Sequence, residues 1–115
     1  MKVIDNKDIE SIIIRTQRTQ NYPMQVTINS KSDFLEVMNL IADVEYTHVD
    51  IEEIPNGWEF WIIIKQNSKE DINISFVKDS ATMNGELYQT NAKIIGELQE
   101  IYDDMEDVYG SEKIK

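Results

Sequence analysis

Two hydrophobic periods run along this chain. From residue 9 to 19 ("IESIIIRTQRT") β-branched residues alternate. Ile12 and Ile14 fall on one face, Ile13 and Arg15 on the other, which predicts a strand. After the turn signal "NYP", Met24, Val26 and Ile28 alternate with Gln25, Thr27 and Asn29, a half-buried strand placed to form a hairpin with the first. The period then changes. Phe34, Leu35, Val37, Met38, Leu40, Ile41 and Val44 recur at helical spacing and form a broad apolar face, with Ser30 or Ser32 placed to cap the first turn.

Residues 47–54 ("THVDIEEI") return to a strand pattern, followed by "PNG", a hairpin turn in which Asn56 and Gly57 tolerate positive φ. "WEFWIIIKQ" is the strongest strand signal. Trp58, Phe60, Ile62 and Ile64 share one face; Glu59, Trp61, Ile63 and Lys65 share the other. Apolar residues on both faces mark a central strand. Residues 72–77 direct Ile72, Ile74 and Phe76 inward, and "KDSATMNG" reads as a loop with room for a short strand to either side. Thr90 is placed to cap a last helix, whose stripe is Ile94, Leu98, Ile101, Tyr102, Met105, Val108 and Tyr109. Gly96 weakens that helix by about 1 kcal/mol relative to alanine and leaves room for close packing. The order β-β-α-β-β-β-α predicts an α+β fold, an antiparallel sheet of about five strands with two helices packed on one face. The expected domain is residues 1–109, with 110–115 a frayed tail.

Charge changes this picture more than any motif does. The chain has 22 acids against 11 bases, a formal net charge of −11. Between Lys31 and Lys65 there are eight acids and no Lys or Arg; between Lys93 and Lys113 there are seven and again none. Such a field repels a phosphate backbone and an anionic membrane surface, so neither nucleic acid nor membrane is an expected partner. It attracts a basic protein, or a protein groove that normally holds nucleic acid. With no cysteine there is no disulfide, thiolate nucleophile or cysteine zinc site. No long apolar run opens the chain, so no signal peptide is expected and the location expected is the cytoplasm.

The only histidine, His48, would share a strand face with Asp50 and Glu52, successive side chains lying roughly 7 Å apart. Imidazole with two carboxylates is a legitimate metal or acid–base set. One strand rarely closes such a site, and Val49 and Ile51 on the other face explain the pattern as apolar-in and polar-out. The solvated face is therefore the preferred reading, with no catalytic, metal or cofactor site. The last helix offers Glu97, Glu100, Asp103, Asp104, Glu106 and Asp107. "DDMEDVYGSEK" lacks the glycine that a calcium loop needs at its sixth position. These acids crowd a helix C-terminus, where the macrodipole disfavours negative charge, and such a local conflict points to function. Trp58 and Phe60 are assigned to the core. Trp61, on the other face with Ile63, is either covered by a further element, which is the preferred reading, or exposed near the acids as a candidate interface anchor, with Tyr46, Tyr88 and Tyr109 as weaker candidates.

The expected function is a small acidic, non-catalytic protein-binding module, such as an inhibitor or immunity protein of a phage or mobile element that mimics nucleic acid. Its partner-binding residues would be Asp50, Glu52, Glu53, Trp61, Glu97, Glu100, Asp103, Asp104 and Asp107. The alternatives are an exported or lipoprotein-borne domain, and a metal-dependent enzyme built on His48, Asp50 and Glu52.

Overall fold

A computed structural model describes residues 6–17, 22–50, 57–91 and 93–114. After a short 3-10 turn, strand β1 (Ile9–Thr16) pairs antiparallel with β2 (Met24–Ile28), Ile12 opposite Ile28 and Ile14 opposite Val26. Helix α1 (Lys31–Asp43) then leads to a two-residue strand, β3 (Thr47–His48). Strands β4 (Phe60–Gln66), β5 (Ile72–Val77), β6 (Ser80–Met83) and β7 (Glu86–Gln89) form a meander, helix α2 (Lys93–Tyr109) follows, and β8 (Glu112–Lys113) ends the described chain. The sheet order is β3-β7-β6-β5-β4-β1-β2-β8, and every pairing is antiparallel. The class is the expected α+β with two helices, but the described residues hold eight strands rather than about five.

The alternating residues of the central strands build the core. Ile12, Ile14, Val26, Ile28, Phe60, Ile62, Ile64, Ile74 and Phe76 are fully buried on one face of the sheet. Phe34, Val37 and Ile41 of α1 and Ile94, Leu98, Tyr102 and Met105 of α2 join them in a single cluster. Tyr109 on the last turn of α2 donates a 2.5 Å hydrogen bond to Asp33 in the first turn of α1. At the other end, α1 residues Leu40 and Asp43 share a cavity with Ile94 and Glu97 of α2. The helices therefore run antiparallel over the same face. The radius of gyration is 13.6 Å, close to the ~13 Å of a compact chain this long.

Several expectations need correction. Of the strand expected at residues 47–54, the described part forms β3 at Thr47–His48, which pairs with β7 at the sheet edge rather than with β4; residues 51–54 lie outside the described residues. The hairpin turn expected at "PNG" falls on Pro55 and Asn56, which also lie outside the described residues. The stretch read as a loop contains β6, joined to β7 by Asn84 and Gly85. Both have positive φ, as a two-residue hairpin turn requires. The expected tail pairs instead with β2, Glu112 opposite Gln25 and Lys113 opposite Met24. Leu35 and Val108, assigned to apolar faces, are 52% and 67% exposed, because one lies round the helix from Phe34 and the other lies near the end of α2. Trp58 precedes β4, and the bend at Glu59 breaks the alternation that would have put it beside Phe60; it is half-buried against Trp61. Thr90 does not cap α2: Asn91 does, its Oδ1 accepting the Lys93 amide at 3.0 Å. For α1, Ser30 occupies the cap position, and its carbonyl, not its side chain, accepts the first-turn amides of Asp33 and Phe34.

Gly96 lies on the exposed side of α2, and a Cβ built there meets nothing within 4 Å. The room for close packing expected at this residue is not used. Gly96→Ala should raise unfolding free energy by about 0.5–1 kcal/mol, since alanine loses less backbone entropy in a helix interior. Urea denaturation measures it; an unchanged or lowered midpoint would contradict the open environment of this glycine.

Candidate functional site

Antiparallel packing brings the two acid-rich windows together. On α1, Glu36 and Asp43 are exposed, as is Glu45 just beyond it; on α2, Glu97, Glu100, Asp103, Asp104, Glu106 and Asp107 all face solvent. The windows meet directly where Asp43, Glu45 and Glu97 line one open cavity of about 490 Å³, together with Lys93. Each helix carries one base, at its first residue (Lys31 and Lys93), and neither has a base in its last turn.

This distribution works against the helix that bears it. Along α2, Glu97–Glu100, Glu100–Asp103, Glu100–Asp104, Asp103–Glu106, Asp103–Asp107 and Asp104–Asp107 are like-charge neighbours at i,i+3 or i,i+4 spacing. Each such pair costs a few tenths of a kcal/mol. The C-terminal acids also oppose the macrodipole. Local hydrogen bonds offset part of this: Gln99 Nε2 donates to Asp103 Oδ1 at 3.0 Å, and the Ser111 hydroxyl donates to Glu106. Gly110, at φ +76, lets the chain leave the helix, and its amide closes the last turn on the Glu106 carbonyl at 2.8 Å.

His48 sits apart from the α2 ridge, on edge strand β3. Its Nε2 lies 3.8 Å from Glu86 Oε1, and its ring meets Tyr88 edge-on at 5.4 Å. Tyr88 also donates to Glu86 at 3.1 Å and meets Tyr46 edge-on at 6.1 Å. Glu86 and Tyr88 are thus the partners of the histidine; sequence periodicity could not reveal them, because they arrive through a pairing between distant strands. Asp50 is exposed just beyond β3, whereas Glu52 and Glu53 lie outside the described residues. Among the described residues no three His, Asp or Glu side chains come together to hold a metal ion.

Trp61 does not join the acids. Because Ile62 points into the core beneath the helices, Trp61 points to the opposite, helix-free face of the sheet. There Arg15 lies 4.9 Å from its ring centroid and Asn73 Oδ1 accepts its indole N–H at 2.9 Å. The residues expected to bind one partner are therefore divided between two faces.

Among the described residues no helix is long and apolar enough to cross a membrane. Compared with protein-family models, with curated proteins and with solved structures, the chain matches none, so its own chemistry carries the functional reading.

Burial pushes the Tyr46 hydroxyl up from 10.0 to about 12, and it donates to the Ile41 carbonyl in the last turn of α1 at 3.1 Å. The folded state thus favours the neutral phenol. Its contribution to stability is complete below the ordinary value and is lost as pH rises from about 10 towards about 12. Tyr46→Phe should cost about 0.5–1.5 kcal/mol near neutral pH, for the lost hydrogen bond, and should make the alkaline decline shallower. Urea midpoints followed through that pH range test this; a variant that declines in parallel with the parent would refute the role of Tyr46.

Proposed function

We propose that this protein is a small non-catalytic binding module whose acidic helix layer occupies a basic groove on a protein partner, one that ordinarily takes nucleic acid. An inhibitor or immunity protein of a phage or mobile element would act in this way. The observation that carries the reading is the α2 ridge. From Glu97 to Asp107 six exposed carboxylate side chains follow one another over about 15 Å of helix axis, one every ~3 Å. A nucleic-acid strand carries one phosphate every ~3.4 Å. The linear charge density is therefore that of a single strand, held on a scaffold whose opposite side is anchored in a core of isoleucine and phenylalanine.

Charge of this kind steers association, and its contribution falls with salt. Exposed Leu35 and Val108 add apolar contact area to the same helix layer once a partner excludes water from it. The helix instability that the acids cause also supports the reading, since a surface selected only for solubility would gain from mixing both signs along the ridge.

The test is a capture experiment with this protein as bait, at low and moderate salt, beside the quadruple variant Glu100→Gln, Asp103→Asn, Asp104→Asn, Asp107→Asn. A basic, nucleic-acid-handling partner should be retained at low salt, weakened by salt, displaced by added DNA or RNA, and lost by the variant. The variant itself should be more stable by about 1–2 kcal/mol, through removal of like-charge pairs and relief of the macrodipole. Finding no partner at either salt, or equal retention by the variant, would overturn the proposal.

A further inference from the structure

The helix-free face of the sheet carries a second arrangement, unrelated in its chemistry to the acidic layer. One register row crosses it from edge strand β8 to β6: Glu112, Gln25, Arg15, Trp61, Ser75 and Thr82 are successive cross-strand partners. The first half of the row is tied together. Gln25 Nε2 donates to Glu112 Oε1 at 2.8 Å, Arg15 Nε donates to Gln25 Oε1 at 3.0 Å, and the Arg15 guanidinium stacks on Trp61. In the second half the side chains become small, and the sheet surface drops away. The result is a cavity of about 260 Å³ floored by Ser75 and Thr82, with Trp58 and Trp61 on one side and the Asn84 turn on another.

Two indoles, 5.6 Å apart and inclined at 73°, make a corner in this cavity. Trp61 is held on separate sides by Arg15, by Trp58 and by the hydrogen bond to Asn73, so the corner is fixed before any ligand arrives. Among the described residues none that lines the cavity is charged, in a chain whose net charge is −11. The polar groups are amides and hydroxyls. Ser75, Thr82 and Asn84 both donate and accept; Asn73 uses its oxygen on Trp61 and offers a ligand its two amide protons.

From this geometry we propose that the Trp58–Trp61 corner binds a neutral saccharide ring. A pyranose presents an apolar C–H face, which an indole accepts, and a rim of hydroxyls that donate and accept in the same mixture as the cavity lining. The neutral lining selects against charged ligands, which would leave water without a partner for their charge. The size suits one ring, since the cavity is smaller than the roughly 300–1,000 Å³ of sites for larger ligands. This site lies across the sheet from α2 and does not depend on the acidic-layer reading.

Both tryptophans of the chain border the cavity, so fluorescence excited selectively at tryptophan, beyond the absorption of the five tyrosines, reports this site. Titration with glucose, galactose, N-acetylglucosamine and their β-linked disaccharides should give a saturable change for at least one, with a dissociation constant on the order of 1 mM. That affinity should be insensitive to salt and unchanged in the quadruple α2 variant. Ser75→Val keeps a strand-favouring residue while removing a floor hydroxyl, and should weaken binding at least about tenfold; Trp58→Ala should do the same, read by calorimetry. Failure of every neutral sugar to saturate the signal would overturn the proposal. So would tighter binding of glucuronate, or of N-acetyltryptophanamide as a model of a protein side chain, and so would undiminished affinity in both variants.

Discussion

Strand β4 is paired along its length on both sides, with β1 through Ile14–Ile62 and Ile12–Ile64, and with β5 through Ile62–Ile74 and Phe60–Phe76. These cross-strand pairs form a continuous apolar layer whose members are all fully buried. Both helices can cover that layer only by lying on the same side of it, and this constraint decides most of what the surface can be. The acid-rich segments that form α1 and α2 are forced next to each other. The opposite face, without a helix among the described residues, is carried by what the outward-pointing positions of the strands supply.

That outward-pointing set explains why the sheet can leave this face without a helix among the described residues. Ile63 is shielded by its neighbours Ile13 and Asn73, and around this centre the face is built from Ser11, Thr27, Ser75, Ser80 and Thr82, which are hydrated without cost. The edges are protected by length. Strands β3 and β8 each have two residues, so neither presents a row of free amides and carbonyls long enough to template another sheet.

What could be read from the sequence follows from where the signals are local. The β1–β2 hairpin, β4, β5 and both helices were legible because each has several apolar residues at its own period. Strand β6 has a single buried residue, Ala81, too few to make an alternation, and Glu112 and Lys113 of β8 are both exposed, with no apolar signature at all. The pairing of β3 with β7 joins residues about forty positions apart, which no window of periodicity detects. The acids of α2 were legible as a ridge because helical spacing is regular. The Trp58–Trp61 corner was not: it depends on a bend at Glu59, whose amide bonds the Phe76 carbonyl at 2.7 Å and whose carboxylate accepts the Lys78 amide at 2.7 Å. Those contacts come from the end of β5 and the turn that follows it, and they go with a Trp58 placed beside Trp61 rather than on the core face.

Segregating charge from aromatic surface has a physical consequence for how the two faces could be used together. An anionic ligand approaching the tryptophan corner meets the long-range field of a −11 molecule, whereas a neutral one does not. A basic macromolecule is drawn first to the helix layer, where the carboxylates are densest, and the sheet separates that layer from the corner. Because the two faces share only the β4-centred core, a change in surface charge on α2 alters one interaction without repacking the other. The core thus lets the acidic layer and the neutral corner vary independently, provided that the isoleucine and phenylalanine pairs between β1, β4 and β5 are kept.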